Sequence, residues 1–220
     1  LGRTLAMAAA TVIACVAISL PVAYAMVTRA KAFDAHVKVL IIFAFLTDSV
    51  LKSFGWVLFL DSSGGLNWML AHLGLGSQPT NILFTEAATL IGMIYHMLPY
   101  TIFTIYLAFA RIDRDLILAA YDAGSSRVRA FVEITLPLAR TGVVIGAVLV
   151  FVLALGVFLE PNVMGGGKAP MAAELIRQTF ETRVDWPLGS ALTLLTMALA
   201  ALSLGAFAYA VTKGTREHPA

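Results

Sequence analysis

With 220 residues, 60% of them hydrophobic and 13% charged, the chain is too apolar for a soluble domain, which runs nearer about 45–50% apolar and about 25% charged. The excess comes in long uncharged runs, from Thr4 to Thr28, Thr141 to Leu159 and Leu188 to Thr212. These lengths match the roughly 20 residues that carry a helix across the hydrocarbon layer, so the chain reads as an all-α polytopic membrane protein. The formal net charge of +2 selects no class of partner, and no nucleic-acid partner is expected. Cys15 is the only cysteine, which excludes a disulfide framework. Inside an apolar run it reads as a small buried side chain.

In chain order, five spans are expected, at residues 4–27, 39–60, 84–110, 141–159 and 188–211. The second carries Asp48 and Lys52; the third carries Glu86, His96 and Pro99. Pro99 is expected to kink its helix, which packed neighbours tolerate. The intervening loops alternate in charge. Residues 28–38 hold Arg29, Lys31 and Lys38, whereas residues 61–83 hold no Lys or Arg. Residues 111–140 hold Arg111, Arg114, Arg127, Arg129 and Arg140, and the tail holds Lys213 and Arg216. The positive-inside rule places the first and third loops and the C-terminus in the cytoplasm. The chain starts at Leu1, with no cationic leader, so it reads as a piece of a longer protein and not as a signal peptide. An outside N-terminus then predicts one span upstream of Leu1, six in the parent protein. No internal repeat is evident.

Residues 113–137 are too polar to span and too patterned to be slack. Leu116, Ile117 and Ala120 share one face of a short helix; Ala123-Gly124-Ser125-Ser126 is a break where glycine permits positive φ. Val128, Phe131, Val132 and Leu136 recur with helical period, giving a second amphipathic helix, and Pro137 leads into the fourth span. On pattern alone, two readings stand: a rigid lever gripped by a partner, or a loop lying on the headgroups with its arginines on lipid phosphates.

The stretch from Leu118-Ala119-Ala120 through Asp122 and Gly124 to Ile134-Thr135-Leu136-Pro137 resembles the EAA loop of ABC importer permeases. That resemblance implies the type I importer permease fold over one domain spanning residues 1–220. It also implies that the helices at 113–137 dock on an ATPase subunit. Leu116, Ala119, Ala120, Asp122, Gly124, Ser125, Arg127, Phe131 and Pro137 are the residues it assigns to coupling. The family usually has Glu where this chain has Leu118, so docking through that ion pair is not expected here.

Further matches resemble the spermidine/putrescine-type permeases, the first of the two permease subunits in such importers. They include Phe45-Leu46-Thr47-Asp48-Ser49, Gly65-Leu66-Asn67, Leu98-Pro99, Met164-Gly165-Gly166, Gln178-Thr179-Phe180 and Asp185-Trp186-Pro187. The resemblance implies a bacterial inner-membrane complex of two different permeases, two ATPase subunits and a soluble substrate-binding protein. ATP and Mg would be bound by the ATPase, with no cofactor in this chain. The implied substrate is a polyamine or similar small organic cation; other small solutes are carried by members of the broad group.

The outer loop at 160–187 combines a flexible hinge, Gly165-Gly166-Gly167, with a segment of helical composition from Met171 to Phe180. In related transporters this region touches the binding protein, which implicates Gly165, Gly166, Asp185 and Trp186; a surface hairpin without function is the alternative. Gly167-Lys168 is followed by Ala169 and lacks the spacing of a phosphate loop.

Ionisable residues inside a span cost on the order of 3 kcal/mol and are functional suspects. Asp48 is either paired with Lys52 at i+4 or part of a cation pathway. Glu86 and Glu160 sit near outer ends of spans, and each can serve the path or simply reach water. His96 reads as hydrogen-bonded between helices rather than as a ligand, which is the alternative. No nucleophile–base pair or metal-ligand cluster is recognisable, so no catalytic residue is expected. Two rivals remain: a secondary transporter, which would carry broken spans at matching places in two halves, and a membrane subunit without a pathway.

Overall fold

The computed structural model describes residues 1–28, 31–74, 81–168 and 170–216, so Arg29 of the first basic loop lies outside the described residues. All regular structure there is helical: α1 (Gly2–Thr28), α2 (Lys31–Leu46), α3 (Ser49–Leu60), α4 (Gly65–His72), α5 (Glu86–Ala110), α6 (Arg114–Asp122), α7 (Arg127–Ala130), a π-helical turn (Phe131–Thr135), α8 (Leu136–Leu155), α9 (Leu159–Val163), α10 (Ala172–Glu181) and α11 (Trp186–Arg216). Four helical stretches among the described residues are long and apolar enough to cross a bilayer: Gly2–Thr28, Glu86–Ala110, Arg127–Leu155 and Trp186–Ala206.

α1, α5 and α8 pack on one another and form the centre of the molecule. The buried residues Thr4, Ala8, Cys15, Ser19 and Ala23 make a stripe of small side chains down α1 at helical spacing. Small residues let backbones approach closely where lipid supplies no hydrophobic drive for association. The sequence reading of Cys15 holds: it is buried, with its thiol 3.7 Å from the Ile94 carbonyl. The α5–α8 contact is equally close. A Cβ at Gly142 would stand 2.2 Å from the Ala108 Cβ, and one at Gly146 would stand 3.4 Å from the Thr104 Cβ. Gly142→Leu is therefore expected to lower stability by about 1–3 kcal/mol through overpacking. Thermal unfolding in detergent measures this, and an unchanged midpoint contradicts the packing.

The second predicted span is not one helix. It breaks between Leu46 and Ser49, giving helices of 16 and 12 residues. The two charges expected to pair with each other instead close the two helix ends. Asp48 Oδ1 accepts hydrogen bonds from the backbone N–H groups of Val50 (2.8 Å) and Leu51 (3.4 Å), and so caps α3. The Lys52 ammonium donates to the Ala44 carbonyl near the end of α2. An acid at the N-terminus and a cation at the C-terminus satisfy the groups that a helix break orphans.

The fourth span also differs from expectation. It begins at Arg127, inside the polar interval, and runs without interruption to Leu155. Pro137 causes no break because the π turn just before it re-spaces the backbone: the Leu136 N–H bonds the Phe131 carbonyl, five residues back. Local π geometry accommodates a proline ring that would otherwise clash with the carbonyl four residues earlier. The helix then ends at Gly156, and the chain folds back as α9, so Glu160 does not reach the outer surface as expected but is buried.

Candidate functional site

Three regions hold the candidate residues. The first is the helix pair α6–α7. Asp113 caps α6 through the Asp115 N–H (3.0 Å), and Ser126 caps α7 through the Arg129 N–H (3.3 Å). Between them Gly124 adopts φ +87°, with Gly124 N–H on the Tyr121 carbonyl and Ser125 N–H on the Ala120 carbonyl, both 2.9 Å. This is a Schellman turn, which needs a left-handed residue at the glycine position. The predicted break and both helices are present.

The pair is anchored on one side and bare on the other. Phe131 lies edge-on to Tyr24 (4.8 Å) and to Phe109 (6.1 Å), and the Tyr24 and Tyr121 hydroxyls are 3.5 Å apart. Phe131 therefore ties the pair to α1 and α5. Ala120 is buried and Phe131 half-buried. These two residues, which the resemblance assigns to coupling, face the bundle, because an amphipathic helix resting on a bundle buries its apolar stripe. Leu116, Ala119, Asp122, Gly124, Arg127 and Pro137 are exposed, and Ser125 is half-buried. Two apolar side chains of the second amphipathic helix, Val128 and Val132, are exposed, Val128 by 73%. The exposed face is thus a strip of apolar side chains edged by Asp122 and Arg127. Arg129 is held to Glu133 by hydrogen bonds of 3.0 Å. Behind α6, a cavity of about 470 Å³ is lined by Arg111, Leu116, Leu138 and Gly142.

The second region is the outer loop. Here the expectation of a flexible hinge fails. Gly165 is buried; a Cβ there would stand 2.5 Å from the Pro161 carbonyl oxygen and 2.6 Å from Thr89 Oγ1, so it offers no surface for a partner. Gly166, at φ +64°, is exposed at its edge and lies under the Phe84 ring. Phe84 itself adopts φ +64°, a genuine outlier for a bulky residue, and its N–H bonds the Met164 carbonyl at 2.8 Å. The loop is a packed unit. α10 buries Glu174 completely, and its carboxylate accepts from Arg177 Nε (3.0 Å) and Nη2 (2.8 Å), Gln178 Nε2 (2.7 Å) and Asn162 Nδ2 (3.1 Å). The Ala172 N–H donates to Thr4 Oγ1 at 3.0 Å, which joins the loop to α1. Beyond α10, Asp185 accepts from the Leu188 N–H (3.1 Å) and Trp186 is exposed against the Phe180 ring (5.4 Å). Val184, at φ +54°, is the second strained residue of the chain's outer turns.

The third region is the set of intramembrane acids, of which Asp48 and Glu160 both lie within electrostatic reach of Lys52 and His96. Glu86 opens α5, is largely exposed, and pairs with Arg3 at 2.7 Å. Asp48 is exposed and caps α3. Glu160 alone is buried, with 4% of the residue exposed. His96 Nδ1 faces its Oε1 at 3.5 Å, and that nitrogen has no hydrogen-bond partner. The interhelical hydrogen bond expected of His96 is not formed. Among the described residues no group of three or more His, Cys, Asp or Glu could hold a metal ion.

This helical architecture is that of importer permeases. It superimposes on the bacterial ABC transporter involved in the import of the acidic polysaccharide alginate with a TM-score of 0.75 at 16% identity, over 96% of this chain and 77% of that one. The MetNI methionine ABC transporter in an inward-facing conformation gives 0.74 at 17% identity, over 96% and 92%. The family model for the binding-protein-dependent transport system inner membrane component matches residues 37–217. The spermidine/putrescine transport system permease protein PotB of Haemophilus influenzae is 34% identical over 201 residues, 91% of this chain and 70% of that protein. Its namesake from Escherichia coli K12 is 32% identical over 86% of this chain and 69% of that protein. The chain belongs to the binding-protein-dependent transport system inner membrane components, the permease subunits of ABC importers.

Proposed function

We propose that this permease forms half of the translocation path of a polyamine importer and takes its motion from an ATPase subunit seated on α6–α7. The observation that carries the coupling is the unbroken helix from Arg127 to Leu155. A force applied to the exposed Val128–Val132 face reaches the span with no loop to absorb it, and Phe131 passes it to α1 and α5 through Tyr24 and Phe109. A second, different permease, two ATPase subunits and a soluble binding protein complete the complex, with the C-terminus in the cytoplasm. ATP and Mg stay on the ATPase. The outer loop, with Gly166, Asp185 and Trp186 at its surface, receives the binding protein. The substrate class rests on the names of the two PotB relatives and on the buried acid Glu160.

The test is reconstitution of the whole importer in proteoliposomes. ATP-dependent uptake of radiolabelled putrescine or spermidine is expected only with all subunits present. Uptake without the ATPase would restore the secondary-transporter reading. Uptake of neither amine by an ATP-hydrolysing complex would overturn the substrate class while leaving the coupling intact.

A further inference from the structure

Resting on the polyamine reading, we propose that Glu160 and His96 form an ammonium-binding subsite within the membrane, where one amino group of the substrate is held by the carboxylate and the imidazole together. Glu160 is brought there by the fold-back after Gly156. It packs beside Gly92, where a Cβ would stand 3.2 Å from the Glu160 Cγ and 2.4 Å from the Met164 sulfur. His96 lies ten residues beyond the start of α5, about 15 Å along the helix, which is membrane depth rather than surface.

A carboxylate at that depth needs hydrogen-bond donors or a counter-charge. The Glu174 carboxylate shows the satisfied case, with four short hydrogen bonds. Beside Glu160 the unpartnered atom is the buried His96 Nδ1. The Glu160 Oε1 lies 3.5 Å from that nitrogen, beyond hydrogen-bonding distance for these groups. With the proton on Nε2, Nδ1 is an acceptor, and two acceptors then face each other with no donor between them. A primary ammonium has three donors and can bond both groups at once from beside them.

Access is marked by charge. Asp48 is exposed, Lys52 and His96 are half-buried and Glu160 is buried. Lys52 lies within electrostatic reach of Asp48 and Glu160, and His96 of all three. The Lys52 ammonium, which feels the Glu160 charge from the α2–α3 break, is held back by the Ala44 carbonyl. It balances the acid without occupying the subsite, so an incoming amine does not have to displace a bonded lysine.

Uptake of radiolabelled putrescine by the complete importer in proteoliposomes tests the subsite. Glu160→Gln is expected to raise the KM at least about tenfold, the loss of one charge-assisted hydrogen bond, with the ATPase still co-purifying. A KM within about twofold of wild type, below the worth of such a bond, overturns the subsite. A measurement on the wild-type complex needs no variant: modification of Glu160 by a hydrophobic carbodiimide, read by peptide mass spectrometry. Putrescine at ten times its Kd should slow the labelling about tenfold; labelling that putrescine leaves unchanged overturns the subsite. Wild-type importer that carries no putrescine overturns the substrate class, and the ammonium assignment with it, whereas normal wild-type uptake with an unaffected variant overturns the subsite alone.

Discussion

Glu174→Ala is expected to be the most destabilising single substitution in the outer half of the molecule. The carboxylate is fully buried and accepts four hydrogen bonds from three residues. Its removal leaves the Asn162 and Gln178 amides without their acceptor and Arg177 with only Glu181. Taking one partner from a buried charged pair costs about 3–5 kcal/mol. The effect should be local first. α10 is tied to α1 by the Thr4–Ala172 hydrogen bond and to α11 by the close approach of Gly189 to the Phe180 ring. Once its internal lock is gone, the segment around 170–185 should become cleavable by added protease while α1, α5 and α8 still hold together. A large fall in the thermal midpoint with early cleavage in the loop is the expected pair of results. An unchanged protease pattern contradicts the lock.

The same carboxylate makes the loop sensitive to acid. Burial pushes the Glu174 carboxyl up, but the hydrogen bonds from Arg177, Gln178 and Asn162 outweigh it and hold the group below its ordinary value of 4.5. A depressed folded value means that the folded state binds the proton less readily than the unfolded one. The stabilisation is therefore fully present above about 4.5, the unfolded value, and is lost as the pH falls through the lower folded value. Thermal midpoints of wild type should fall over that acid window. Those of Glu174→Gln should fall less, since the proton-sensitive group is absent.

The spans and the helix pair were legible because each has its own period. Long uncharged runs mark α1, α8 and α11, and the turn at Gly124 announces itself between two amphipathic stretches. The break between α2 and α3 was hidden. Hydropathy averages over it, and no glycine or proline stands at residues 47 and 48. Its signal was Asp48 itself, an N-cap residue ahead of a fresh helical run. Asp48 is both a charge within the second apolar run and the N-cap of α3. Glu160 was misplaced for a related reason. Gly156, which ends α8, was absorbed into the apolar run, so the fold-back that buries Glu160 was not visible. The hinge at Gly165–Gly167 shows the limit of composition: three glycines read as slack, yet Gly165 is glycine because backbone and Thr89 crowd it.

Ala119→Arg should strip the ATPase from the complex while leaving the permease folded. Ala119 and Ala120 are adjacent, but only Ala120 is buried. A long cation at Ala119 projects from the exposed face between Leu116 and Asp122 and blocks close approach, without touching the bundle. Introducing an unpaired charge into a well-packed contact costs about 2–5 kcal/mol, which is at least about a thirtyfold loss of affinity. Ala120→Arg separates docking from folding, because there the charge is forced under α6 and the thermal midpoint of the permease should fall. Gly124→Val acts by a third route. The position is open, with nothing within 4 Å of a Cβ, but its φ of +87° is forbidding for a β-branched side chain. The cost, about 1–3 kcal/mol of backbone strain, falls on the turn, so α6 and α7 should lose their fixed angle, co-purified ATPase activity should drop and the thermal midpoint should fall as well. Full retention of the ATPase by both Ala119→Arg and Gly124→Val would mean that the partner grips the chain elsewhere. In that case the continuous helix from Arg127 would be a feature of the span alone.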